Sequence, residues 1–466
     1  HGRVAGRARG GAVRRARARN TVARIAAITL LAPLLTVGGM EPPGVSSPAW
    51  ATESVACSVE AYLTNGTPNN ESDDQLLTRE ADGQGNREIG TPAQNPSHIS
   101  VTTDSESRCV LEFLMPGVTM RLEMPASVAS FDALVVAGGG GGSWGGGGAG
   151  GFYEAEGDIG TAQPALSAAE TGHSILIRVG NGGNPATVRT TLSSGGNYTT
   201  DNAALGENGA DGEGSYVIGS ADSLYSQPHG SRALEALVSP SAVIMKGGGG
   251  GGMRSNPGSS GASAGGAGIS AIGPGVSQSG QSALDSGAYG RDGGSASSTS
   301  SFGFNAADAG YPLGYAGGGG GGSTLPGSNG GVRFQTSGAT VTGGRGGAGS
   351  VNDWTSTARV FAAGGGGAAQ VDGGDSASTR GLGGGADADG DGSIEANERC
   401  GGNGGTRGLN ADSGQANSGC GGGGAGGWGK NAGSGGSGVV VVRFAPPPVD
   451  PVPVLGDVTR TVGGFE

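Results

Sequence analysis

The sequence predicts a mainly β protein with low regular content, in which a small β module precedes a glycine-rich domain of packed polyglycine II helices framed by short strands. Three observations support this prediction. Glycine supplies 106 of 466 residues, about 23 per cent against an average near 7. Hydrophobic residues make up only 34 per cent of the chain. The glycines come in runs instead of at every third position, which excludes a collagen triple helix.

Residues 1–51 are predicted to be a signal peptide. Eight arginines and no acidic residue occupy positions 1–24, and an apolar stretch follows at positions 25–37. Thirteen apolar residues are too few to span a bilayer. The Ala-Trp-Ala sequence at positions 49–51 presents small residues where signal peptidase cleaves, so we expect cleavage after Ala51. The alternative, a basic arm for nucleic acid, is disfavoured because such arms do not lead into an apolar stretch and a cleavage site.

Cleavage changes the charge of the protein. The mature chain keeps 19 basic and 38 acidic residues, a net charge of −19. Such a surface repels phosphate backbones and attracts divalent cations, so we expect no nucleic-acid partner. The sequence predicts no membrane span and a secreted or cell-surface location, where the partner would be a protein or a glycan.

The four cysteines are an even number, as expected for disulfides in an exported chain. Cys57 and Cys109 bracket one segment, and Cys400 and Cys420 bracket another. Local pairing is the simplest of the three connectivities that four cysteines allow, and the sequence alone does not decide among them.

The remaining chain divides by composition. Residues 52–136 have few glycines and contain alternating apolar stretches typical of the strands of a small β module. Residues 137–445 form the glycine-rich domain, with 91 glycines between positions 138 and 438. Residues 446–456 predict a stiff proline-rich linker. Residues 457–466 resemble the first strand of a following, truncated module.

Strand-like apolar stretches lead directly into the glycine runs. Residues 133–137 precede the run 138–142, residues 242–246 precede the run 247–252, and the zone closes on the valine-rich stretch 438–444. The alternative is a flexible, disordered Gly/Ser linker. It is disfavoured because strand-like hydrophobic stretches are not expected within such linkers. Polyglycine II helices, with three residues per turn, can approach closely and satisfy one another's backbone groups without a hydrophobic core.

Residues 125–144, the recurring glycine runs and the closing sequence Gly-Ser-Gly-Val-Val-Val-Val-Arg-Phe that ends at Phe444 carry a family resemblance. They resemble the glycine-rich domain proteins of secreted and surface-attached bacterial, especially actinobacterial, origin. A more remote similarity links them to the glycine-rich ectodomain of anaplastic lymphoma kinase and to phage tail-fibre adhesin tips. The resemblance covers roughly residues 110–445. It implies an extracellular bundle of polyglycine helices that serves recognition or scaffolding without catalysis.

Residues 387–398 match the calcium loop of EF-hands at every defined position. The pattern predicts carboxylate ligands at loop positions 1, 3 and 5, a turn-forming Gly392 at position 6, a backbone carbonyl at 7, a water-mediated ligand at 9 and a bidentate glutamate at 12. The predicted Ca²⁺ ligands are therefore Asp387, Asp389, Asp391, Ser393, Glu395 and Glu398.

The loop departs from EF-hands in its surroundings, because glycine-rich sequence flanks it where EF-hands have helices. A lone site of this kind is expected to bind calcium with a dissociation constant of about 10⁻⁴ to 10⁻³ M, as extracellular modules do. We interpret it as a structural calcium clip, braced by a Cys400–Cys420 bridge if these cysteines pair. The alternative is an acidic, solvated loop.

No catalytic motif is found. The four histidines lack the spacing of metal ligands, and only two lysines exist, neither in a phosphate-binding loop. We therefore expect no enzymatic activity. Trp144 and Trp428 lie within glycine sequence and could stack on a sugar, although such residues more often wedge between layers. Two functions remain: a surface recognition or adhesion module with a structural calcium, and a purely structural wall or matrix spacer.

Overall fold

Most of the glycine-rich domain is visible in the computed structural model of the chain. The described residues all belong to one unit, Ser54–Glu466. They are residues 57, 59–64, 75–76, 78–81, 87–90, 99–155, 166–167, 173–186, 191–192, 198–199, 207–219, 237–239, 242–253, 257–268, 277–278, 296–299, 313–335, 338–355, 357–372, 377–426 and 430–445. The predicted signal peptide, linker and following module lie outside the described residues, as does Trp428.

Short strands make up almost all regular structure of the described residues, which contain one 3₁₀ turn at Ala396–Glu398 and no α-helix. The mainly β prediction is confirmed. The strands of the first half are β1 (Glu60–Leu63), β2 (Gln75–Leu76), β3 (Thr78–Ala81), β4 (Arg87–Gly90), β5 (Ile99–Thr103), β6 (Cys109–Phe113), β7 (Thr119–Glu123), β8 (Ser130–Val136), β9 (Phe152–Ala155), β10 (Leu166–Ser167), β11 (Ser174–Arg178), β12 (Thr191–Leu192), β13 (Tyr198–Thr199) and β14 (Ser215–Gly219). Those of the second half are β15 (Leu237–Ser239), β16 (Ala242–Met245), β17 (Ser277–Gln278), β18 (Ala296–Thr299), β19 (Leu313–Ala316), β20 (Gly331–Gln335), β21 (Gly338–Thr342), β22 (Ser350–Asn352), β23 (Arg359–Phe361), β24 (Ala369–Asp372), β25 (Ala377–Thr379) and β26 (Val439–Phe444).

Two large antiparallel sheets organise these strands. The first has the order β15-β16-β14-β11-β7-β1-β2. The second has the order β10-β8-β26-β6-β5-β4-β3, with β9 also paired to β8. Both sheets therefore draw strands from either side of position 136, the predicted boundary between the β module and the glycine-rich domain. The valine-rich strand β26 closes the fold by inserting between β8 and β6, where Val441 lies opposite Leu134 and Glu112.

The main hydrophobic core lies between the inner faces of the two sheets. One buried cluster combines side chains of the first sheet with side chains of the second, among them Met120, Leu122, Ile175, Ile177, Leu111, Phe113, Val440 and Val442. The alternate valines of β26, Val439 and Val441, belong to a second cluster with Trp354 and Phe361. Because β26 is buried on both faces, its sequence is continuously apolar instead of alternating.

The hairpin β22–β23 covers the outer face of the second sheet. The Arg443 guanidinium lies 4.1 Å from the centroid of the Trp354 ring and pairs with Asp132 at 2.8 Å. Asn352 donates a hydrogen bond of 2.9 Å to Glu154, and Arg359 of β23 pairs with Glu112 of β6. Because the charged side chains beneath the hairpin have partners, their burial is tolerated.

Asp104 lies 3.9 Å from the Arg443 guanidinium. Its carboxyl is expected to make the free energy of unfolding depend on pH. Burial alone would raise the pKa of its carboxyl. Hydrogen bonds from the Arg108 side chain and from the backbone N–H groups of Arg108 and Glu106, together with the charge of Arg108, lower that pKa below its ordinary value of 3.8. A lowered folded-state pKa contributes stability above about pH 4, which is lost as the pH falls through the folded value. We expect Asp104→Asn to be less stable at pH 7 and to lose less stability on acidification.

Urea unfolding between pH 7 and pH 2 checks this expectation. Glu106→Gln is the control, because it changes a neighbouring side chain that is 64 % exposed and keeps the backbone N–H that bonds to Asp104. Equal acid-induced losses in Asp104→Asn and in the parent protein would contradict the assignment.

The glycine run 138–142 shows how the glycine-rich domain is packed. Its N–H groups donate to three neighbouring segments in rotation: Gly138 and Gly141 to segment 207–214, Gly139 and Gly142 to segment 431–438, and Gly140 to Gly148 in segment 145–151. Its carbonyl groups accept from three further segments, 180–186, 246–252 and 420–426. Residues three positions apart meet the same neighbour, as the threefold turn of polyglycine II requires.

The same arrangement recurs through the domain. The run 145–151 bonds to six segments, namely 246–252, 317–322, 419–424, 137–142, 261–268 and 364–368. The run 364–368 also has six, namely 343–349, 144–149, 402–405, 317–322, 381–385 and 420–426. A polyglycine bundle with each central run enclosed on all sides therefore continues directly from the strands of the two sheets. Its backbone groups are satisfied without a hydrophobic core, as the sequence predicts.

Two disulfides cross-link the fold, and both follow the local pairing. Cys57 joins Cys109 of β6, with 5.7 Å between the Cα atoms. Cys400 joins Cys420, with 5.8 Å between the Cα atoms. The first bridge lies in the main core, and the second connects the end of the predicted calcium loop to the glycine run 420–426.

Candidate calcium loop

The predicted calcium loop 387–398 is anchored at both ends by the polyglycine bundle. Gly384 donates to Gly364 O at 2.8 Å, and Gly401 donates to Gly384 O at 3.1 Å. Gly385 and Arg399 form an antiparallel bridge at the base of the loop. The bridge and the two glycine runs hold the loop ends together, which in EF-hands is the role of the flanking helices.

The structure brings the first three predicted ligands together. Carboxylate oxygens of Asp387, Asp389 and Asp391 all lie within 4.8 Å of one another on the solvent-accessible side of the loop. Asp387 accepts hydrogen bonds from the N–H groups of Gly390, at 2.7 Å, and Gly392, at 2.9 Å. The loop therefore curls around the side chain at position 1, so that the carboxylates at positions 3 and 5 turn toward it.

Gly392 adopts the conformation that the motif requires at position 6. Its φ is +92°, and that of Gly390 is +78°, both in the left-handed region that glycine tolerates. A Cβ at either position would meet nothing within 4 Å. The requirement for glycine here is therefore one of backbone conformation and not of space.

Glu398, the predicted bidentate ligand, is buried and bonded to the loop backbone. Its Oε1 accepts from the N–H groups of Ala388, at 2.8 Å, and Asp389, at 3.2 Å. Its Oε2 accepts from Glu395 N–H at 2.9 Å, which closes the 3₁₀ turn. The side chain at position 12 thus shapes the loop from within, a role that the sequence analysis did not foresee. Its capping spacing, Glu395 to Glu398, could have suggested it.

Two further predicted ligands, Ser393 and Glu395, follow the three aspartates in the loop. Ser393 donates its N–H and its hydroxyl to Asp391 Oδ1, at 2.8 and 2.7 Å. These hydrogen bonds lower the pKa of the Asp391 carboxyl below its ordinary value. Glu395 is exposed and precedes the 3₁₀ turn. Their ligand roles stay predictions.

The donor set is chemically suited to Ca²⁺. Calcium takes six to eight oxygen ligands, mostly from carboxylates and carbonyls, and tolerates irregular geometry. The loop offers three adjacent carboxylates. The positively charged side chain of Arg399 donates a hydrogen bond to Ile394 O at 2.9 Å. No histidine or free cysteine is present among the described residues of the loop, which disfavours a zinc site.

Trp144, the described member of the predicted stacking pair, lies at a turn between two glycine runs. Its backbone N–H donates to Gly252 O at 3.1 Å, and its backbone carbonyl accepts from Ala368 N–H at 3.0 Å. The residue is partly exposed, unlike the glycines beside it, which are buried. The bundle therefore holds the Trp144 backbone from two sides and leaves part of the side chain accessible.

The chain matches no protein-family model, and no curated protein is significantly similar to it. Within the residues that the structure describes, no helix is long and apolar enough to cross a membrane. The candidate site is therefore defined by its geometry and by the chemistry of its residues.

Proposed function

We propose that the chain is an exported, non-catalytic surface recognition or adhesion module with a structural calcium site. The observation that supports it best is the partial exposure of Trp144. This aromatic residue lies at a turn whose backbone is fixed on both sides by hydrogen bonds to neighbouring glycine runs. Aromatic groups presented on rigid elements are effective contacts because binding costs them little conformational entropy. The two disulfides fit an oxidising compartment outside the cytoplasm.

The resemblance to secreted and surface-attached bacterial glycine-rich domain proteins supports the same proposal. Their implied architecture, polyglycine helices framed by strands, agrees with the bundle seen here. We therefore place the protein in this class as a proposal, and we assign it no catalytic role.

A purely structural spacer in a cell wall or matrix is the second proposal. One observation favours it: among the described residues, the large hydrophobic side chains that are strongly exposed are Leu325, at 58 %, and Leu409, at 54 %. A surface with few apolar groups suits a spacer that must not adhere. A bundle enclosed by backbone hydrogen bonds would also resist deformation.

A glycan array probed with the mature protein separates the two proposals. A recognition module is expected to bind at least one glycan and to lose this binding in Trp144→Ala or Trp428→Ala. Leu325→Ala is the control, since it removes an exposed hydrophobic side chain elsewhere. Absence of glycan binding by the mature protein would favour the spacer, and binding unchanged in both tryptophan variants would exclude stacking on these residues.

Calcium is expected to bind the mature protein weakly and to stabilise it. With a dissociation constant of about 10⁻⁴ to 10⁻³ M and calcium near 10 mM, the gain is about 1 to 3 kcal/mol. Asp387→Ala should lose both the heat of binding and the calcium-dependent rise of the melting temperature. Isothermal titration calorimetry and thermal unfolding in calcium and in chelator measure the two effects.

The matched control is Asp353→Ala, which removes an exposed carboxylate outside the loop and should keep calcium binding. A mature protein without calcium heat, or an Asp387→Ala variant with undiminished heat, would contradict the calcium proposal.

A further inference from the structure

A small cleft opens beside the calcium loop, where segments distant in sequence meet. Its volume is about 220 Å³. Its walls come from segments 358–360, 388–389 and 397–398, and from Cys400, Gln415 and Ser418. The cleft therefore exists only in the folded chain, because the calcium loop supplies some of its walls and segments outside the loop supply the others.

The walls of the cleft are held in place before any ligand arrives. The Cys400–Cys420 disulfide joins one wall to the glycine bundle. Gln415 N–H donates to Cys400 O at 2.8 Å, and Ser418 Oγ donates to Gln415 O at 2.6 Å. The backbone of these walls is therefore ordered in advance, and a ligand has to order only the exposed side chains that it contacts.

The charged groups of the cleft already have partners. Asp389, which is also a predicted calcium ligand, accepts a hydrogen bond from Asp391 N–H at 3.1 Å. Arg359 pairs with Glu112 and donates to Asn417 O at 3.1 Å. The buried Glu398 carboxylate accepts from three backbone N–H groups of the calcium loop. A charged ligand would have to compete with these pairs, whereas a neutral ligand leaves them intact.

The other groups suit a neutral molecule with many hydroxyls. Asn397 and Gln415 are exposed, and each amide side chain offers both donors and an acceptor. Ala358 and Val360 add apolar surface. A sugar ring combines hydroxyls on its rim with an apolar C–H face. The cleft is smaller than the about 300 to 1,000 Å³ of sites for drug-sized ligands, which limits it to one ring.

We propose that this cleft is a subsite for one neutral sugar ring of a glycan, bound through the amides of Asn397 and Gln415 with its C–H face against Ala358 and Val360. The inference rests on the proposed recognition function and gives it a ligand class and a second place of contact, apart from Trp144. Binding of a single ring is expected in the millimolar range, because few atoms make contact.

Saturation-transfer NMR on the mature protein, with calcium chloride present throughout, tests the subsite. The probes are the methyl glycosides of glucose, galactose, mannose and N-acetylglucosamine. At least one is expected to receive saturation. The signal should weaken in Gln415→Ala and vanish in Gln415→Trp, where the larger side chain fills the cleft. Asn184→Ala, which removes an exposed amide elsewhere, should keep the full signal.

Thermal unfolding checks that the variants are folded. If Gln415→Trp does not fold, Gln415→Ala alone tests the subsite. Silence of all four glycosides, or a signal unchanged in the folded Gln415 variants, would overturn the subsite. Glycan-array binding that persists in those variants, together with an unchanged glycoside signal, would overturn the subsite and leave the recognition function standing. A glycoside signal that depends on Gln415, with a silent array, would support the subsite and count against surface recognition.

Discussion

Gly147→Ala is expected to destabilise the protein by more than about 3 kcal/mol, enough to prevent folding of a marginally stable chain. A Cβ at Gly147 would lie 2.0 Å from Gly140 O and 2.6 Å from Gly140 C. Both atoms are backbone atoms of a run that is itself enclosed by six others, so neither can move aside cheaply. Displacement of Gly147 would also break its hydrogen bonds with Gly422 and Gly365. Urea unfolding followed by tryptophan fluorescence measures the loss.

Two further alanine variants separate crowding from the intrinsic effect of replacing glycine. Gly408 is exposed, and a Cβ there would meet nothing within 4 Å, so Gly408→Ala should change stability by less than about 0.5 kcal/mol. Gly392 is equally open but has a φ of +92°, so Gly392→Ala should cost about 1 to 2 kcal/mol and weaken calcium binding. If Gly147→Ala and Gly408→Ala were equally stable, the close packing of the runs would be refuted.

Removal of the Cys57–Cys109 disulfide is also expected to cause a large loss of stability. The bridge closes a loop of 52 residues, for which the chain-entropy model gives about 4 kcal/mol. Both cysteines are also buried in the main core. The double variant Cys57→Ala/Cys109→Ala should therefore melt at a much lower temperature than the parent protein. Differential scanning calorimetry measures this shift.

The second disulfide provides the comparison. Cys400–Cys420 spans 20 residues, which corresponds to about 3 kcal/mol. Because it holds the end of the calcium loop, Cys400→Ala/Cys420→Ala should also weaken calcium binding, whereas Cys57→Ala/Cys109→Ala should not. Equal calcium affinities in the two folded double variants would show that the bridge does not brace the loop.

The predictable part of the fold came from local backbone preferences. Stretches such as 133–137 and 242–246 were recognisable as strands because they are short, mostly apolar and contain two adjacent β-branched residues each. The glycine runs implied polyglycine II because these helices pack so closely that no position in a run has room for a side chain. The predicted calcium loop was recognisable because its predicted ligands lie within twelve consecutive residues and Gly392 has to turn the chain.

Contacts between distant segments could not be predicted in the same way. Glu398 matches the ligand pattern, but only the folded loop shows its carboxylate bonded to the N–H groups of residues 388, 389 and 395. The cleft beside the loop depends on Gln415 and Arg359, which no local motif connects. The insertion of β26 between β8 and β6 joins residues more than 300 positions apart, as the 2.9 Å hydrogen bond from Arg443 to Asp132 shows.

The sequence by itself determined what each segment of this protein becomes: strand, glycine run or acidic loop. Only the tertiary structure decided which glycine run lies beside which, in what direction, and around which central run. The physical reason is that glycine runs present identical backbones. They carry no side chains that could distinguish one neighbour from another, so the partners of each run are set by the sheets, disulfides and turns that fix its ends.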